Sequence, residues 1–499
     1  WPPGSTTSTR TPLLSAVRKH ALAPETKGKP PRSATHFRDP ATASCGSQQG
    51  SIARPMPLSR APKRWLGCIL ITVVALGATA YWWPLPPLPN YHGVDFGLDG
   101  TAASVFAPDK LLAFEFEMQA DDLQHMRDHA REEVAVPAQL RVGAHNVGTV
   151  GLRHKGSTGT LHSVLDERRT ESYMPKLSMK IVFDKFEADK RFCQLRRLNF
   201  HSMIYDDSLM RDRLCYQAFR AAGVIAPRCS YAMIIINGEY MGLFAMVEHI
   251  GPAFVQSRFE ETANGILYKE VWPAHSDESP YQSEQRWNPN QRSHETMMRF
   301  ASELQTASDE DLPTVAAQHT DLDALLRYFI VDQALKNWDG VRGWTSASAD
   351  GAPWNHNYFW FLSGQDRLTL IPWDLDSTLT HPGPRDHLRS WHDLGAIATT
   401  GHPTESQWFA WAPDHDPLTR AVAMHARDRY PDVARELLAG PLRLDRQLQS
   451  ILTWQSQIRA AAAHDPHLGN LWGWERHLDD LRDNLHAIHD WMQSNARDW

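Results

Sequence analysis

Four side chains that bind metals or move protons surround one predicted hairpin: Asp339, Asn357, Asp374 and Asp376. Residues 358–362 and 368–371 are short aromatic and aliphatic runs. Polar residues 363–366 separate them and include a glycine, which predicts two strands joined by a tight turn. A hairpin returns its two ends to within roughly 5 Å of each other. We therefore expect Asn357, which enters the hairpin, to lie beside Asp374, which leaves it.

Oxygen ligands of this kind suit magnesium, which proteins usually bind through one or two carboxylates together with substrate phosphates. We predict Asn357, Asp374 and Asp376 as metal ligands, and Asp339 as a base or orienting group for an acceptor. A protein kinase presents its catalytic base and metal ligands in the same order of Asp, Asn, hairpin and Asp. The alternative is that these residues only form turns. Adjacent carboxylates repel each other, however, unless a cation or a basic group compensates them.

Groups that bind phosphate would come from the N-terminal half of the chain. Residues 147–153 predict a strand that leads into a turn containing Gly156 and Ser157, and the backbone N–H groups of such a turn can bind phosphate. Lys180 lies on a later predicted strand, where it would reach a phosphate or extend to solvent at a sheet edge. For the turn that contains Gly156 and Ser157, the alternative to phosphate binding is an ordinary flexible turn, because the sequence matches neither a Walker loop nor G-x-G-x-x-G.

The remaining elements are expected to position these groups. Residues 209–222 predict a helix, and Asn237-Gly238 predicts a type I′ hairpin over residues 231–247, with Glu248 at its exit. A polar, mobile insertion is expected over residues 275–318, before another helix. The C-terminal region predicts amphipathic helices, because its apolar residues recur every three or four positions.

The composition excludes several classes of protein. The chain has 499 residues, of which 42% are hydrophobic, so it is long enough for two or three domains. The net charge is -7 and the body has no basic block, which argues against nucleic acid as a partner. Cys193, Cys215 and Cys229 are too few for a disulfide framework. The histidines form no His-Glu-x-x-His motif, so a zinc hydrolase has little support.

The N-terminal region predicts export. Residues 1–55 contain no Met and are rich in Ser, Thr, Pro and Arg, which indicates a disordered or untranslated segment. Residues 56–83 have the basic start, apolar run and small residues of a signal peptide, and a Pro-rich linker follows at 84–109. Without cleavage, the run from Trp65 to Trp83 would anchor the chain as a single-pass span. The body would then be secreted, periplasmic or membrane-anchored, and a basic transit peptide is the alternative.

A series of short motifs carries a resemblance to a known family. In chain order they are Arg153-x-Lys155-Gly156-Ser157, Pro175-Lys176-x-Ser178, Leu209-Met210-Arg211-Asp212, Asn237-Gly238-Glu239-Tyr240-x-Gly242, Glu248, Asn337-Trp338-Asp339-Gly340, Asn357-Tyr358-Phe359 and Pro372-Trp373-Asp374-Leu375-Asp376. With these motifs the chain resembles the CotH kinase family over roughly residues 110–380. The Asn-Gly-x-Tyr-x-Gly hairpin and the Pro-Trp-Asp-x-Asp motif are specific when they occur together.

The resemblance implies a fold and an activity. The expected fold is α+β and protein-kinase-like, with two lobes: a mostly antiparallel N-lobe sheet and a mainly helical C-lobe. This domain would span residues 110–400, and a helical C-terminal region would follow at 401–499. The expected activity is that of an atypical protein kinase, which uses ATP and Mg²⁺ to phosphorylate a protein hydroxyl. The acceptor protein is not indicated by the sequence.

The resemblance also assigns the contacts to ATP. These residues are Lys176, Lys180, Gly156, Ser157 and Glu248. One of the two lysines would contact the phosphates, and Glu248 would face the nucleotide where a kinase has its hinge. The gap from Asp339 to Asn357 is longer than in ordinary kinases, which leaves Asn355 as a rival for the amide ligand.

Two other classes of protein stay open. A non-catalytic surface protein could keep the fold and act by binding, although the intact carboxylates Asp339, Asp374 and Asp376 count against it. A magnesium phosphohydrolase could use the same carboxylates, but it does not explain the lysine strand and the Gly-Ser turn. Phosphoryl transfer from ATP to casein or to the protein itself would separate the three classes.

Overall fold

The computed structural model describes residues 85–156, 175–346, 353–380, 409–410 and 415–497. All of them belong to one unit, which spans Trp83–Trp499. The predicted N-terminal segment, signal sequence and anchor lie outside the described residues, as does Ser157. Among the described helices, none has the length and apolar character that a membrane span requires.

The first part of the unit is a β-barrel. Its strands are β1 (Leu111–Glu117), β2 (Val136–Val142), β3 (His145–His154), β4 (Met179–Val182), β5 (Arg197–His201), β6 (Cys229–Ile236) and β7 (Glu239–Glu248). They pair in the order β1-β2-β3-β4-β5-β7-β6, and β1 closes the barrel by pairing in parallel with β6. The other pairings are antiparallel. The predicted mixed α+β class is confirmed, but the closure of the sheet was not predicted.

Alternating side chains fill the barrel. Phe114, Leu152, Ile181 and Phe200 belong to one buried apolar cluster inside it, as expected for strands whose successive side chains point to opposite faces. The β6–β7 hairpin turns at Asn237-Gly238, where both residues have positive φ angles of 52° and 81°. This is the type I′ geometry that the sequence predicts.

A second sheet carries the predicted hairpin. Its strands are β8 (Ile266–Lys269), β9 (Gln285–Trp287), β11 (Tyr358–Leu362) and β12 (Leu368–Pro372), in the order β12-β11-β8-β9. A separate pair is formed by β10 (Thr345–Ser346) and β13 (Phe409–Ala410). Strands β11 and β12 are antiparallel, with Tyr358 opposite Pro372. The hairpin prediction is therefore confirmed.

Helices make up most of the rest. They are α1 (Ala102–Val105), α2 (Ala120–Asp128), α3 (Arg211–Ala221), α4 (Pro252–Gln256), α5 (Ser279–Glu284), α6 (Glu295–Thr306), α7 (Leu312–His319), α8 (Leu322–Ala334), α9 (Pro417–Ala426), α10 (Tyr430–Ala439), α11 (Leu444–Ala463) and α12 (Leu471–Arg497), with short 3-10 helices at Ala130–Glu132 and Asp309–Asp311. The prediction of a mobile insertion over residues 275–318 is wrong. Met297, Phe300 and Leu304 of α6 and Leu312 of α7 are buried in the main core, and this burial orders the segment.

A buried ion pair fastens the C-terminal helices to the barrel. Lys176 Nζ lies 2.7 Å from Asp465 Oδ2 in the turn between α11 and α12, and the two side chains are 4% and 1% exposed. Lys176 also donates to the carbonyl of Leu243 on β7, whose own N–H donates to Asp465. A Cβ at Gly242 would meet the Asp465 carboxylate at 2.6–2.8 Å. The last glycine of the hairpin motif is therefore explained by this docking.

This geometry predicts the effect of Lys176→Met. Breaking a buried pair by removing one partner costs about 3–5 kcal/mol, and the backbone donors that remain on Asp465 favour the lower end of that range. The midpoint of urea unfolding should fall accordingly, whereas the affinity of the folded protein for ATP should not change. Asp432→Ala, which removes one partner of the exposed Arg435–Asp432 pair, is the control and should cost less than about 1 kcal/mol. A stable Lys176→Met protein with weakened ATP binding would contradict the structural role.

His154, at the end of β3, predicts a pH dependence of stability. It is 7% exposed, and burial lowers its pKa from 6.5 to about 4. Because the folded pKa is depressed, the stability that neutral His154 contributes is present above pH 6.5 and is lost as the pH falls through 4. We therefore compare the free energy of unfolding of His154→Phe with that of the wild type at two pH values. The difference should be about 2.5 kcal/mol more favourable to His154→Phe near pH 4.5 than at neutral pH. Urea unfolding at both pH values tests this, and His486→Phe, at an exposed histidine, should show no such gain.

Candidate active site

One large cleft, about 1750 Å³ in volume, opens between the barrel and the second sheet. Its walls come from β3 and β4 on one side, and from the ends of β8, β11 and β12 on the other. The described lining residues include five acidic side chains, Glu133, Glu270, Asp339, Asp374 and Asp376. A basic set faces the same space: Arg153, Lys155, Lys180, Lys185, Arg197, Arg211, Lys269 and Arg286. The cleft therefore contains acidic and basic groups together.

The two ends of the hairpin meet as predicted. Trp373 N–H donates to the carbonyl of Asn357 at 3.0 Å, which places Asp374 next to Asn357. Both residues have left-handed backbones, with φ angles of 63° and 53°. Asn357 Nδ2 donates to the backbone carbonyl and to Oδ2 of Asp339, each at 2.9 Å. The structure thus brings together three of the four residues from which the sequence argument began, and Asp376 lines the same cleft.

A buried turn holds Asp339. Asn337 Nδ2 donates to Asp332 Oδ1 on α8 at 2.7 Å, and both side chains are buried. A Cβ at Gly340 would lie 3.0 Å from that same carboxylate oxygen and closer still to the Asn337 amide. This crowding explains the glycine in the Asn-Trp-Asp-Gly motif. Within the motif, Asn337 anchors the turn, while half-buried Asp339 reaches the cleft.

The charges in the acidic group repel one another. The pKa of Asp339 is raised to about 7, first by burial and then by the charge of Asp374. Burial and the charges of Asp374 and Asp212 raise the pKa of Asp376 well above its ordinary value. Within the described residues, no three His, Cys, Asp or Glu side chains are grouped to hold a metal ion on their own. The chemistry of Asn357, Asp374 and Asp376 still fits Mg²⁺, provided that phosphate oxygens complete the ligand set.

Glu270 is a fourth acidic neighbour that the sequence argument missed. It follows β8, has a positive φ of 54°, and its Oε1 accepts the N–H of Asn357 at 3.2 Å. Its charge also contributes to the raised pKa of Asp339. Glu270 lies 87 positions before Asn357, so no local pattern connects the two. The single signal available was that a carboxylate directly follows a short apolar strand.

Three lysines of the basic set, Lys155, Lys180 and Lys185, have no acidic partner among the described residues. Lys155 and Lys180 form no ion pair with any residue that the structure describes, and Lys180 lies opposite Arg153 in the β3–β4 pairing. Burial, followed by the charges of Arg153 and Lys155, lowers the pKa of Lys180 to about 7. Lys155 lies 5.5 Å from the centre of the Trp373 ring. Burial lowers its pKa and Asp374 opposes that shift. A polyanion would relieve the repulsion among these cations.

The structure does not bring every predicted contact residue to the cleft. Lys176 is held by Asp465, as described above. Glu248 is 2% exposed and forms ion pairs with Arg228 and Arg258 at 2.5 and 2.6 Å. Asn355, the rival ligand, is buried and donates to the carbonyl of Val341.

Two further outcomes concern the Gly-Ser turn. Gly156 lines the cleft, and its N–H donates to Glu133 at 3.2 Å, so Glu133 occupies the donor that we predicted for phosphate. Lys155, directly before it, is the lysine that the sequence argument overlooked, although it lies within the quoted Arg-x-Lys-Gly-Ser motif. Its position beside Trp373 places it between the barrel and the loop that contains Asp374.

Comparison with known proteins identifies the class to which this fold and site belong. The family described as CotH kinase protein matches residues 152–498, so the chain belongs to this family. Two proteins of Bacillus subtilis (strain 168) are similar to it. Inner spore coat protein H is 22% identical over 52% of this chain and 66% of its own length. Inner spore coat protein H-like protein is 22% identical over 53% of this chain and 68% of its own length.

The family assignment confirms the resemblance read from the motifs. The matched region begins after the start of β3 and continues through α12, so it includes the C-terminal helices as well as the cleft. The Lys176–Asp465 pair, the Asp339 turn and the hairpin all lie within it. About a third of the length of each relative has no match in this chain.

Proposed function

We propose that this chain is an atypical, magnesium-dependent protein kinase that transfers the γ-phosphoryl group of ATP to a protein hydroxyl. The observation that carries the proposal is the presence of both kinds of group in one cleft. Asn357, Asp374 and Asp376 offer oxygen ligands, and Lys155 and Lys180 offer cations. A nucleotide triphosphate with its divalent cation matches both sets.

The metal side of the cleft rests on the ends of the hairpin. Asn357, Asp374 and Asp376 would hold Mg²⁺ through oxygen atoms. The bound ion would supply positive charge to the phosphate oxygens as charge develops during transfer. The Asp374 side chain is 39% exposed and therefore accessible to a cation, and Asp376 and Asp339 are also half-buried rather than sealed in the core.

Asp339 would orient the acceptor hydroxyl and accept its proton. Its Oδ2 is occupied by the Asn357 amide, and no residue in the described part of the chain donates to its Oδ1. Asp339 lines the cleft, and the hydrogen bond between Asn337 and Asp332 anchors its turn. A rigid turn with one free carboxylate oxygen is suited to positioning a substrate hydroxyl.

Lys155 and Lys180 would contact the phosphates. Both project from barrel strands or their ends, and burial lowers the pKa of each, so that an added negative charge would stabilise their protonated forms. Of the lysines named from the sequence, Lys180 keeps this role, whereas Lys176 would serve the docking of the C-terminal helices. Glu248 and Asn355 would likewise support the fold, because each is buried with its own partners.

The two-lobe interpretation and the location of the protein belong to the same proposal. The barrel would act as the N-lobe, and the second sheet with helices α6 to α12 as the C-lobe. We infer export from the predicted signal segment at 56–83, and both relatives are spore coat proteins by name. A membrane contact would require an uncleaved run from Trp65 to Trp83, and the acceptor would be a protein rather than nucleic acid.

Calorimetric titration with ATP tests the nucleotide site. With Mg²⁺ present, we expect one nucleotide to bind per chain, and Lys180→Met to weaken binding by about tenfold or more, since a hydrogen bond to a charged group contributes about 1.5–3 kcal/mol. Lys110→Met is the matched control, because Lys110 binds the carbonyl of Gly97 away from the cleft. If the wild type bound neither ATP nor Mg²⁺, the proposed function would be wrong.

A further inference from the structure

One face of helix α3 contacts four residues of the loop after β12. We call residues 374–378 the metal loop. The contacts from α3 are Arg211 Nη1 to the carbonyl of Asp376 (3.3 Å), Asp212 Oδ1 to the N–H of Leu375 (3.3 Å), Cys215 Sγ to Thr378 Oγ1 (3.1 Å) and the Tyr216 hydroxyl to the N–H of Asp374 (3.0 Å). Residues at these spacings lie on one side of a helix.

Among the described residues, one further hydrogen bond reaches the backbone of the metal loop, from Thr378 Oγ1 to the carbonyl of Leu375 within the loop itself. Asp374 has a positive φ of 53°, which side chains other than glycine rarely adopt. Its N–H and that of Leu375 are bound by side chains of α3 rather than by a neighbouring strand. The position of the Asp374 carboxylate therefore depends on a helix 158 residues away in the sequence.

The barrel holds these α3 residues in turn. His201, at the end of β5, has its Nδ1 atom 2.9 Å from Asp212 Oδ2 and 3.9 Å from Asp374 Oδ1. Its ring lies edge-on to Trp373, with 5.3 Å between the ring centres. Asp212 and Tyr216 are almost completely buried. Hydrogen bonds and packing therefore connect the barrel to α3 and α3 to the metal loop.

We propose that Asp212 and Tyr216 are positioning residues, which hold Asp374 in the geometry that binds a divalent cation. The assignment of cation binding to these residues rests on the proposed function, whereas the hydrogen bonds between α3 and the metal loop do not. This arrangement gives a role to the Leu-Met-Arg-Asp motif, which contributes to the cleft only through Arg211. Residues that orient metal ligands in this way typically change metal affinity by about 10- to 100-fold when they are altered.

Amide hydrogen exchange in the metal-free protein tests the arrangement first. Tyr216→Phe removes the acceptor of the Asp374 N–H, so exchange at this amide should become about tenfold faster, the effect of losing one ordinary hydrogen bond. Tyr281→Phe is the matched control, because the buried Tyr281 hydroxyl also accepts a backbone N–H, from His275, and neither residue lines the cleft. Unchanged exchange at Asp374 in Tyr216→Phe would overturn the proposal.

Metal binding tests whether these residues position Asp374 for a divalent cation. The probe is Mn²⁺ with a non-hydrolysable ATP analogue, and free Mn²⁺ is counted by electron paramagnetic resonance. Tyr216→Phe should bind Mn²⁺ about tenfold more weakly, while Tyr281→Phe should match the wild type and analogue binding without metal should not change. Faster exchange with unaltered Mn²⁺ affinity would overturn the positioning role. A wild type that bound no Mn²⁺ would instead overturn the proposed function, and the exchange result would still stand.

Asp212 provides a second pair of variants in case Tyr216→Phe folds poorly. Asp212→Ala removes the acceptor of the Leu375 N–H, whereas Asp212→Asn keeps an oxygen in the same place. We expect faster exchange at Leu375 and weaker Mn²⁺ binding in Asp212→Ala, and recovery of the protected Leu375 amide in Asp212→Asn. Equal exchange in both variants would contradict the hydrogen-bond role of Asp212.

Discussion

Asp374→Asn should abolish nearly all magnesium-dependent phosphoryl transfer while leaving the protein folded. The carboxylate lies beside Asn357 at the end of a hairpin, and its loss removes a proposed metal ligand whose side chain is 39% exposed. An increase of about 4 kcal/mol in the barrier would slow transfer about 1,000-fold. The measurement is the rate of γ-phosphate transfer across a magnesium titration.

Thermal unfolding provides the check that the fold survives. Asp374 contributes to the raised pKa values of Asp212, Asp339 and Asp376, so removing its charge should leave stability unchanged or slightly higher. Asp366→Asn is a matched control, because Asp366 lies at the other end of the same hairpin and also has a positive φ, of 60°. A folded and fully active Asp374→Asn protein would remove the metal assignment. An unfolded one would show that the residue serves the turn instead.

Asp339→Asn should slow transfer by about 10²- to 10⁴-fold, the range that a positioned general base contributes. The affinity for ATP should stay the same, because Asp339 is assigned to the acceptor and asparagine preserves the shape of the side chain. The measurement is single-turnover transfer, combined with nucleotide titration. Loss of ATP binding by a folded Asp339→Asn protein would show that the role is wrong.

The pH dependence supplies a second readout for Asp339. Burial and the charge of Asp374 raise its pKa to about 7, and a base acts only when it is deprotonated. For the wild type, kcat/KM reports the free enzyme and should therefore increase with pH through about 7. In Asp339→Asn this increase should disappear. A wild-type profile that stayed flat between pH 5 and about 8 would contradict the base assignment.

The parts of the site that could be predicted from the sequence are those governed by local rules. The β11–β12 hairpin follows from two short apolar runs separated by a turn, and its geometry brings Asn357 to Asp374. The β6–β7 turn follows from Asn-Gly. In each case the residues that interact are close in the sequence, so propensity and pattern were sufficient.

The parts that could not be predicted depend on distant contacts. Lys176 and Asp465 are 289 positions apart, and their burial as a pair removes Lys176 from the phosphate contacts that its motif suggested. Tyr216 and Asp374 are 158 positions apart. The insertion over residues 275–318 looked mobile because its sequence is polar, yet a few apolar residues such as Phe300 pack it against the core.

The most direct test of the central claim is phosphoryl transfer from γ-phosphate-labelled ATP, with casein and the protein itself as acceptors. With Mg²⁺, the wild type should place label on a serine, threonine or tyrosine hydroxyl, and Asp374→Asn and the wild type in chelator should not. Release of free phosphate without protein labelling would indicate a phosphohydrolase. Binding of ATP and Mg²⁺ with no turnover towards either acceptor would contradict the account and favour a non-catalytic role.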